Sequence, residues 1–182
     1  MDKSFKLKVK TDEKSLTQIK GKFTIEPLDR GYGITLGNAM RRVLLTSIPG
    51  AAVTHVKIEG VDHEFSSIKG VKDDVADIIM NLKKVRFKLM DNNPDKLNLS
   101  LKGKKVVTAQ DIQSLSDQFE ILNPDQYITE INTSGKIEME IRIGIGKGYV
   151  PSEENELPNL TVGTLSIDSI FNPVTKVSYG VK

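Results

Sequence analysis

The sequence predicts an α+β fold. Only two segments, at about 35–48 and 72–83, carry apolar residues at helical spacing. Many shorter segments alternate apolar and polar residues, the pattern of half-exposed strands. Turns rich in glycine, proline, asparagine and aspartate follow at short intervals, so the strands are mostly antiparallel in pattern.

Phe5 to Val9 alternates with lysine and reads as a first half-exposed strand. Asp12 to Ser15 is a polar turn, and Lys22-Phe-Thr-Ile-Glu26 closes a second strand. The run from Glu26 to Gly50 is the densest punctuation in the chain. Pro27, Gly31 and Gly33 mark a turn. Thr35 is placed to cap a helix reaching Ile48, since its hydroxyl can accept from an unpaired first-turn amide. Pro49-Gly50 is expected to stop that helix, because proline lacks a donor and disfavours helical geometry before it. At about 100° per residue, Leu36, Met40, Val43, Leu44 and Ser47 share one stripe, which reads as core. The opposite face carries Asn38, Arg41, Arg42 and Leu45. It has two readings: a solvated face with one stray leucine, or a contact face for another protein, since arginine beside an apolar anchor is typical of interface cores.

Ala51 to Glu59 is a strand ended by Gly60, and Val61 to Gly70 a strand or extended loop. The second helix, about Lys72 to Lys83, groups Val75, Ile78, Ile79 and Leu82 on one face. Asp73, Asp74 and Asp77 lie early and Lys83 and Lys84 late, complementing the helix dipole. Val85 to Leu89 returns to period two, Asp91-Asn-Asn-Pro-Asp95 is a turn, and Leu97, Leu99 and Leu101 form a strand closed by Gly103. Val106 to Ile112 is a strand and a short turn. Phe119 to Leu122 and Gln126 to Ile131 are short strands, and Thr133-Ser-Gly135 is a hairpin-like turn. Ile137, Met139, Ile141, Ile143 and Ile145 make the cleanest amphipathic strand. Ser152 to Asn159 is an acidic loop, and Thr164 to Ile170 and Val174 to Tyr179 alternate again.

The chain has 182 residues, 38% hydrophobic and 27% charged, enough for one domain or two small ones. A net charge of +2, from 26 basic and 24 acidic residues, does not describe a general nucleic-acid binder. Without cysteine there is no disulfide, thiol catalysis or thiolate metal site, which fits a reducing cytosol. The first ten residues lack a secretory apolar core. No run approaches the ~20 apolar residues that span a bilayer, so no membrane association is expected.

Chemistry is sparse. His55 and His63 stand in no zinc-binding spacing and read as structural or surface residues. Asp73-Asp74 and Glu153-Glu154 read as dipole complement and solvation. Gly31-Tyr-Gly-Ile-Thr-Leu-Gly37 precedes a helix, the context for an anion at a helix N-terminus. Its spacing is one residue off the dinucleotide fingerprint. Gly144-Ile-Gly-Lys-Gly148 lacks the P-loop spacing. For both, turn geometry is the plainer reading. No catalytic set, cofactor or metal is expected. The alternative is a small-ligand or nucleotide-binding enzyme using the Gly31 to Gly37 turn.

Longer motifs carry a resemblance. Glu26-Pro-Leu-Asp-Arg-Gly-Tyr-Gly33, Thr35-Leu-Gly-Asn-Ala-Met-Arg-Arg-Val-Leu-Leu45 and Pro49-Gly-Ala-Ala-Val53 come first. Ile58-Glu-Gly-Val-Asp-His-Glu-Phe-Ser66, Gly70-Val-Lys-Asp-Asp-Val75, Asn81-Leu-Lys83 and Gly146-Lys-Gly-Tyr-Val-Pro151 follow in order. Together they resemble the bacterial RNA polymerase alpha-subunit family, N-terminal domain. The resemblance implies a discontinuous dimerisation subdomain, an antiparallel sheet plus helix, from residues 1–52 and 160–182. A mixed, mostly β subdomain at 53–159 is inserted into it and contacts the large polymerase subunits.

It implies a cytoplasmic assembly scaffold for transcription. Two alpha subunits form a homodimer and recruit beta and beta-prime, which hold the nucleotidyltransferase active site, so this chain has none of its own. By position, Arg42 and Leu45, with Arg41 and Asn38, match the beta contact. Lys83 and Ile167 match the beta-prime contact, and Leu36, Met40, Val43 and Leu44 the dimer interface. Family members continue past the equivalent of Tyr179-Gly-Val with a dimerisation helix and a DNA-binding domain. Neither stands before Lys182, so direct DNA contact is not expected of this sequence.

Overall fold

The period-two run ending at Ile145 becomes the spine of the molecule. In the computed structural model, which describes residues 6–90, 96–155 and 160–182, it forms strand β9, Lys136–Lys147. Its apolar residues Ile137, Met139, Ile141 and Ile143 are buried, whereas Ile145, on the same face, is 44% exposed.

Counted from the start, β1 (Lys8–Thr11) and β2 (Phe23–Glu26) form a two-stranded antiparallel sheet. Helix α1 spans Tyr32–Thr46 and β3 spans Pro49–Ile58. Helix α2 (Val75–Leu82) precedes β4 (Phe87–Leu89), β5 (Lys96–Lys102) and β6 (Lys105–Thr108). Helix α3 (Ala109–Gln113), β7 (Phe119–Ile121) and β8 (Tyr127–Ile131) lead to β9. After it come β10 (Tyr149–Val150), β11 (Thr164–Ser166) and β12 (Ser169–Ile170). The main sheet is six-stranded, in the order β5-β9-β3-β4-β7, with β11 also on β3. Pairs β6-β8 and β10-β12 are separate.

The chain divides into two compact units. One holds residues up to Val43 and Val177–Lys182, the other Leu44–Lys176. In the larger unit, Val75, Ile78, Ile79 and Leu82 of α2 join the core against Val56, Ile58, Ile128, Ile131 and Ile141. Phe87 and Phe119 meet edge-on at 5.5 Å between ring centroids. Each fully buried aliphatic side chain contributes about 1.5–3 kcal/mol before ordering entropy is subtracted.

Several local expectations change. Helix α1 begins at Tyr32, so Thr35 lies inside its first turn and is not its cap. Pro49 and Gly50 do not merely stop the helix; they open β3, pairing with Lys147 and Gly146 of β9. The second helix starts at Val75, leaving Lys72 and Asp73 outside it. Ala109–Gln113 is helical where a turn was expected. Thr133 to Gly135 is no hairpin turn, because β8 and β9 belong to different sheets. Val61 to Gly70 forms turns and bends, and Val174 to Tyr179 forms no strand. The 91–95 turn, Phe5 and the last part of the acidic loop lie outside the described residues.

Candidate functional site

Helix α1 is the first candidate. The stripe of Leu36, Met40, Val43 and Leu44 is not core: α1 buries none of its residues. Met40 is 40% exposed and Val43 51%, while Leu36 and Leu44 are half-buried. Other apolar side chains of the smaller unit, Val9, Phe23 and Ile34 among them, are also exposed. On the polar face Asn38, Arg41 and Arg42 are exposed, whereas Leu45 is half-buried.

The glycines explain how α1 meets the last residues of the chain. Of Gly31, Gly33 and Gly37, only Gly31, just before the helix, has a positive φ, +87°. Gly33 and Gly37 lie inside α1, one turn apart on one face. A Cβ on Gly33 would stand 2.7 Å from Val181 Cγ1, and one on Gly37 2.4 Å from Tyr179 Cδ2. The missing side chains therefore make seats for Val181 and Tyr179. Tyr179 Oη then donates to Asn38 Oδ1 at 2.7 Å, which engages the amide carbonyl expected to face a partner. The spacing that suggested a phosphate loop thus serves packing inside a helix.

The second candidate lies in the larger unit. Lys83, just past α2, donates to Asp168 Oδ2 at 2.8 Å, and its side chain is only 16% exposed. Lys83, with Tyr149 also bonded to the carboxylate, holds Asp168 well below the usual carboxylate range. Ile167 precedes Asp168 but is 3% exposed and belongs to the core, so its side chain does not line a free surface. The structure does bring the two predicted residues together: both border a cavity of about 500 Å³ between α2 and β11.

Sequence reasoning missed what holds that cavity's wall. His55, 4% exposed, sits beside a register shift in β3. Its Nε2–H donates to the Asn155 carbonyl at 2.8 Å, which leaves Nδ1 to accept from Thr54 Oγ1 at 2.9 Å. Asn155 Nδ2 donates to the Ile167 carbonyl and to Ser169 Oγ, and Ser169 Oγ donates to the Val53 carbonyl. The residues flanking Asp168 are thus tied to β3. Burial holds the His55 pKa below its ordinary value, against the Asn155 bond. Asp73, expected only to complement the helix dipole, accepts from Tyr127 at 2.5 Å and Thr129 at 2.9 Å. Burial, then the bond to Asp73, pushes Tyr127 up to about 12. No local pattern announces these pairings; Gly33 and Gly37 at helical spacing were the one readable signal.

Among the described residues no group of three His, Asp or Glu side chains is placed to hold a metal. No helix is long and apolar enough to cross a membrane. Each unit thus offers one open feature: exposed apolar and basic surface on α1, and a polar-rimmed cavity beside α2. Residues 56–172 match the family described as the RNA polymerase Rpb3/RpoA insert domain, and the chain belongs to that family.

Its relatives include the DNA-directed RNA polymerase subunit alpha of Alkaliphilus oremlandii, 52% identical over 177 residues, covering 97% of this chain and 56% of the relative. The subunit of the same name from Chloroherpeton thalassium is 46% identical over 175 residues, covering 96% and 53%. That of Salinibacter ruber is 49% identical over 162 residues, covering 89% and 49%. The chain spans about half the length of the curated relatives it matches.

Proposed function

We propose that this chain acts as the alpha-type assembly scaffold of a DNA-dependent RNA polymerase, in the cytoplasm. Two copies pair through Leu36, Met40, Val43 and Leu44 of α1. Arg42 and Leu45, with Arg41 and Asn38 beside them, grip the beta subunit. Lys83, with Ile167 fixing the strand behind Asp168, serves the beta-prime contact. Residues 1–52 and 160–182 act as the dimerisation subdomain and 53–159 as its insert. Nucleotidyl transfer belongs to the large subunits.

The carrying observation is the state of α1. A helix of 15 residues with an apolar stripe and no buried residue has that stripe left partly open by the described residues. A second copy covers it without new sequence, because a two-fold contact uses the same patch twice. The relatives' shared name supports a DNA-directed RNA polymerase as the complex.

The test is co-expression with beta and beta-prime. Arg42→Ala leaves the fold intact, since an exposed guanidinium contributes little to a core, yet lowers recovery of beta. Leu45→Asp lowers it further by placing an unpaired charge in a desolvated contact. Wild-type recovery of beta with both variants sinks the assignment.

A further inference from the structure

We propose that the outer edge of β11 receives an extended segment of a partner polypeptide as an added strand, with apolar and basic side chains. The inference rests on the reading of Lys83 and Ile167 as a docking site for a large polymerase subunit.

Among the described residues β11 pairs with β3 alone, placing Thr164 opposite Lys57, Leu165 opposite Val56 and Ser166 opposite His55. Ile167 N–H donates to the Thr54 carbonyl at 2.9 Å. Hydrogen-bonded and open pairs alternate along an antiparallel ladder. Leu165 therefore bonds across to β3, and the N–H and C=O of Ser166 point away from it. So does the Thr164 carbonyl, while the Thr164 N–H is spent on the Thr161 carbonyl at 3.0 Å. An acceptor at 164 and a donor and acceptor at 166 are the groups that another main chain pairs with.

This edge borders the cavity of about 500 Å³, whose facing wall is α2 with Ala76, Ile79, Met80 and Lys83. Thr164 Oγ1 is buried there without a hydrogen-bond partner among the described residues, an uncompensated desolvation that an added donor or acceptor relieves. Met80 is 53% exposed beside Ile79, so an apolar side chain of the incoming strand finds an apolar wall. Charge sets the rest. Lys83 is already neutralised by Asp168, whereas Glu64 at the rim is exposed and has no partner among the described residues. A basic side chain on the incoming segment complements it. A main-chain donor and acceptor row, an apolar wall and one free carboxylate together fit an extended peptide.

The test uses the full chain co-expressed with beta and beta-prime. Ser166→Pro removes the outward N–H, which the β3 ladder does not use, and proline is tolerated at such edge positions. Retention of beta-prime should fall about tenfold, the effect of losing one interfacial hydrogen bond together with the fit around it. Ser166→Val, which keeps the N–H, should retain it. If Ser166→Pro folds with an unchanged thermal midpoint and retains beta-prime as wild type does, strand addition is overturned. It is overturned equally if the variant alters self-association instead of beta-prime retention. If Ser166→Pro does not fold, amide exchange on the wild type decides: the Ser166 amide slows at least tenfold in the assembly, or the proposal fails. Lys83→Ala separates the two readings. Loss of beta-prime with Lys83→Ala and not with Ser166→Pro keeps the docking site and rejects the added strand. Retention with both rejects the docking site itself.

Discussion

The two units use apolar residues in opposite ways. In Leu44–Lys176, valine, isoleucine and phenylalanine from two helices and two sheets close on one another, and Val56, Ile78, Ile128 and Ile141 have no accessible surface. In the unit of residues up to Val43 with Val177–Lys182, residues of the same kinds stay in contact with solvent: Ile19 is 98% exposed and Phe23 58%. The difference lies in partners, since composition is similar in both. A sheet covered by a helix has somewhere to put its apolar face. A two-stranded ribbon and one helix do not, and such small assemblies are marginal alone.

That contrast can be broken by substitution. Ile78→Ala should cost about 2–5 kcal/mol in urea unfolding, because the site is fully enclosed. A cost below about 1 kcal/mol would mean that the larger core is loose. Asp73→Asn comes next, at about 1–3 kcal/mol, since it weakens the bonds from Tyr127 and Thr129. Spectrophotometric titration should find Tyr127 lowered but still above the ordinary tyrosine value, because burial, the first cause of its shift, remains.

The pH response of the larger unit is smaller and has a defined sign. His55 is harder to protonate folded than unfolded, so the unfolded chain binds more protons as pH falls below about 6.5. Stability is fully present above that pH and declines below it, before the carboxylates titrate. His55→Gln should flatten the unfolding free energy between pH 6.5 and 5, and an unchanged slope refutes the role given to His55.

Val43→Asp has the smallest effect on folding, within about 0.5 kcal/mol, because Val43 is half exposed. On the proposed function it nevertheless abolishes self-association in sedimentation. Equal self-association of variant and wild type would show that this stripe is not the contact.

The sequence made α2 and β9 legible, since burial on one face imposes a period that needs no knowledge of the partner. It misled at α1 for the same reason: an apolar stripe at helical spacing looks identical whether its cover is the same chain or another. Pro49-Gly50 was misread because local chemistry says stop. Gly50 is in fact held where the chain passes the Phe171 carbonyl, 1.9 Å from where a Cβ would stand. Asp73 with Tyr127, Lys83 with Asp168, and His55 with Asn155 join residues 54, 85 and 100 positions apart. No window of local sequence contains both members of such a pair.

The seats at Gly33 and Gly37 also set an order of events during synthesis. Asn38 waits for Tyr179, 141 positions downstream, whereas everything the larger unit needs lies within one continuous stretch. Domains fold largely as units while the chain emerges. The larger unit is therefore free to close while the start of α1 still lacks its covering residues. The start of α1 is thus among the last parts to be fastened, and the seats at Gly33 and Gly37 stay open until Tyr179 and Val181 arrive.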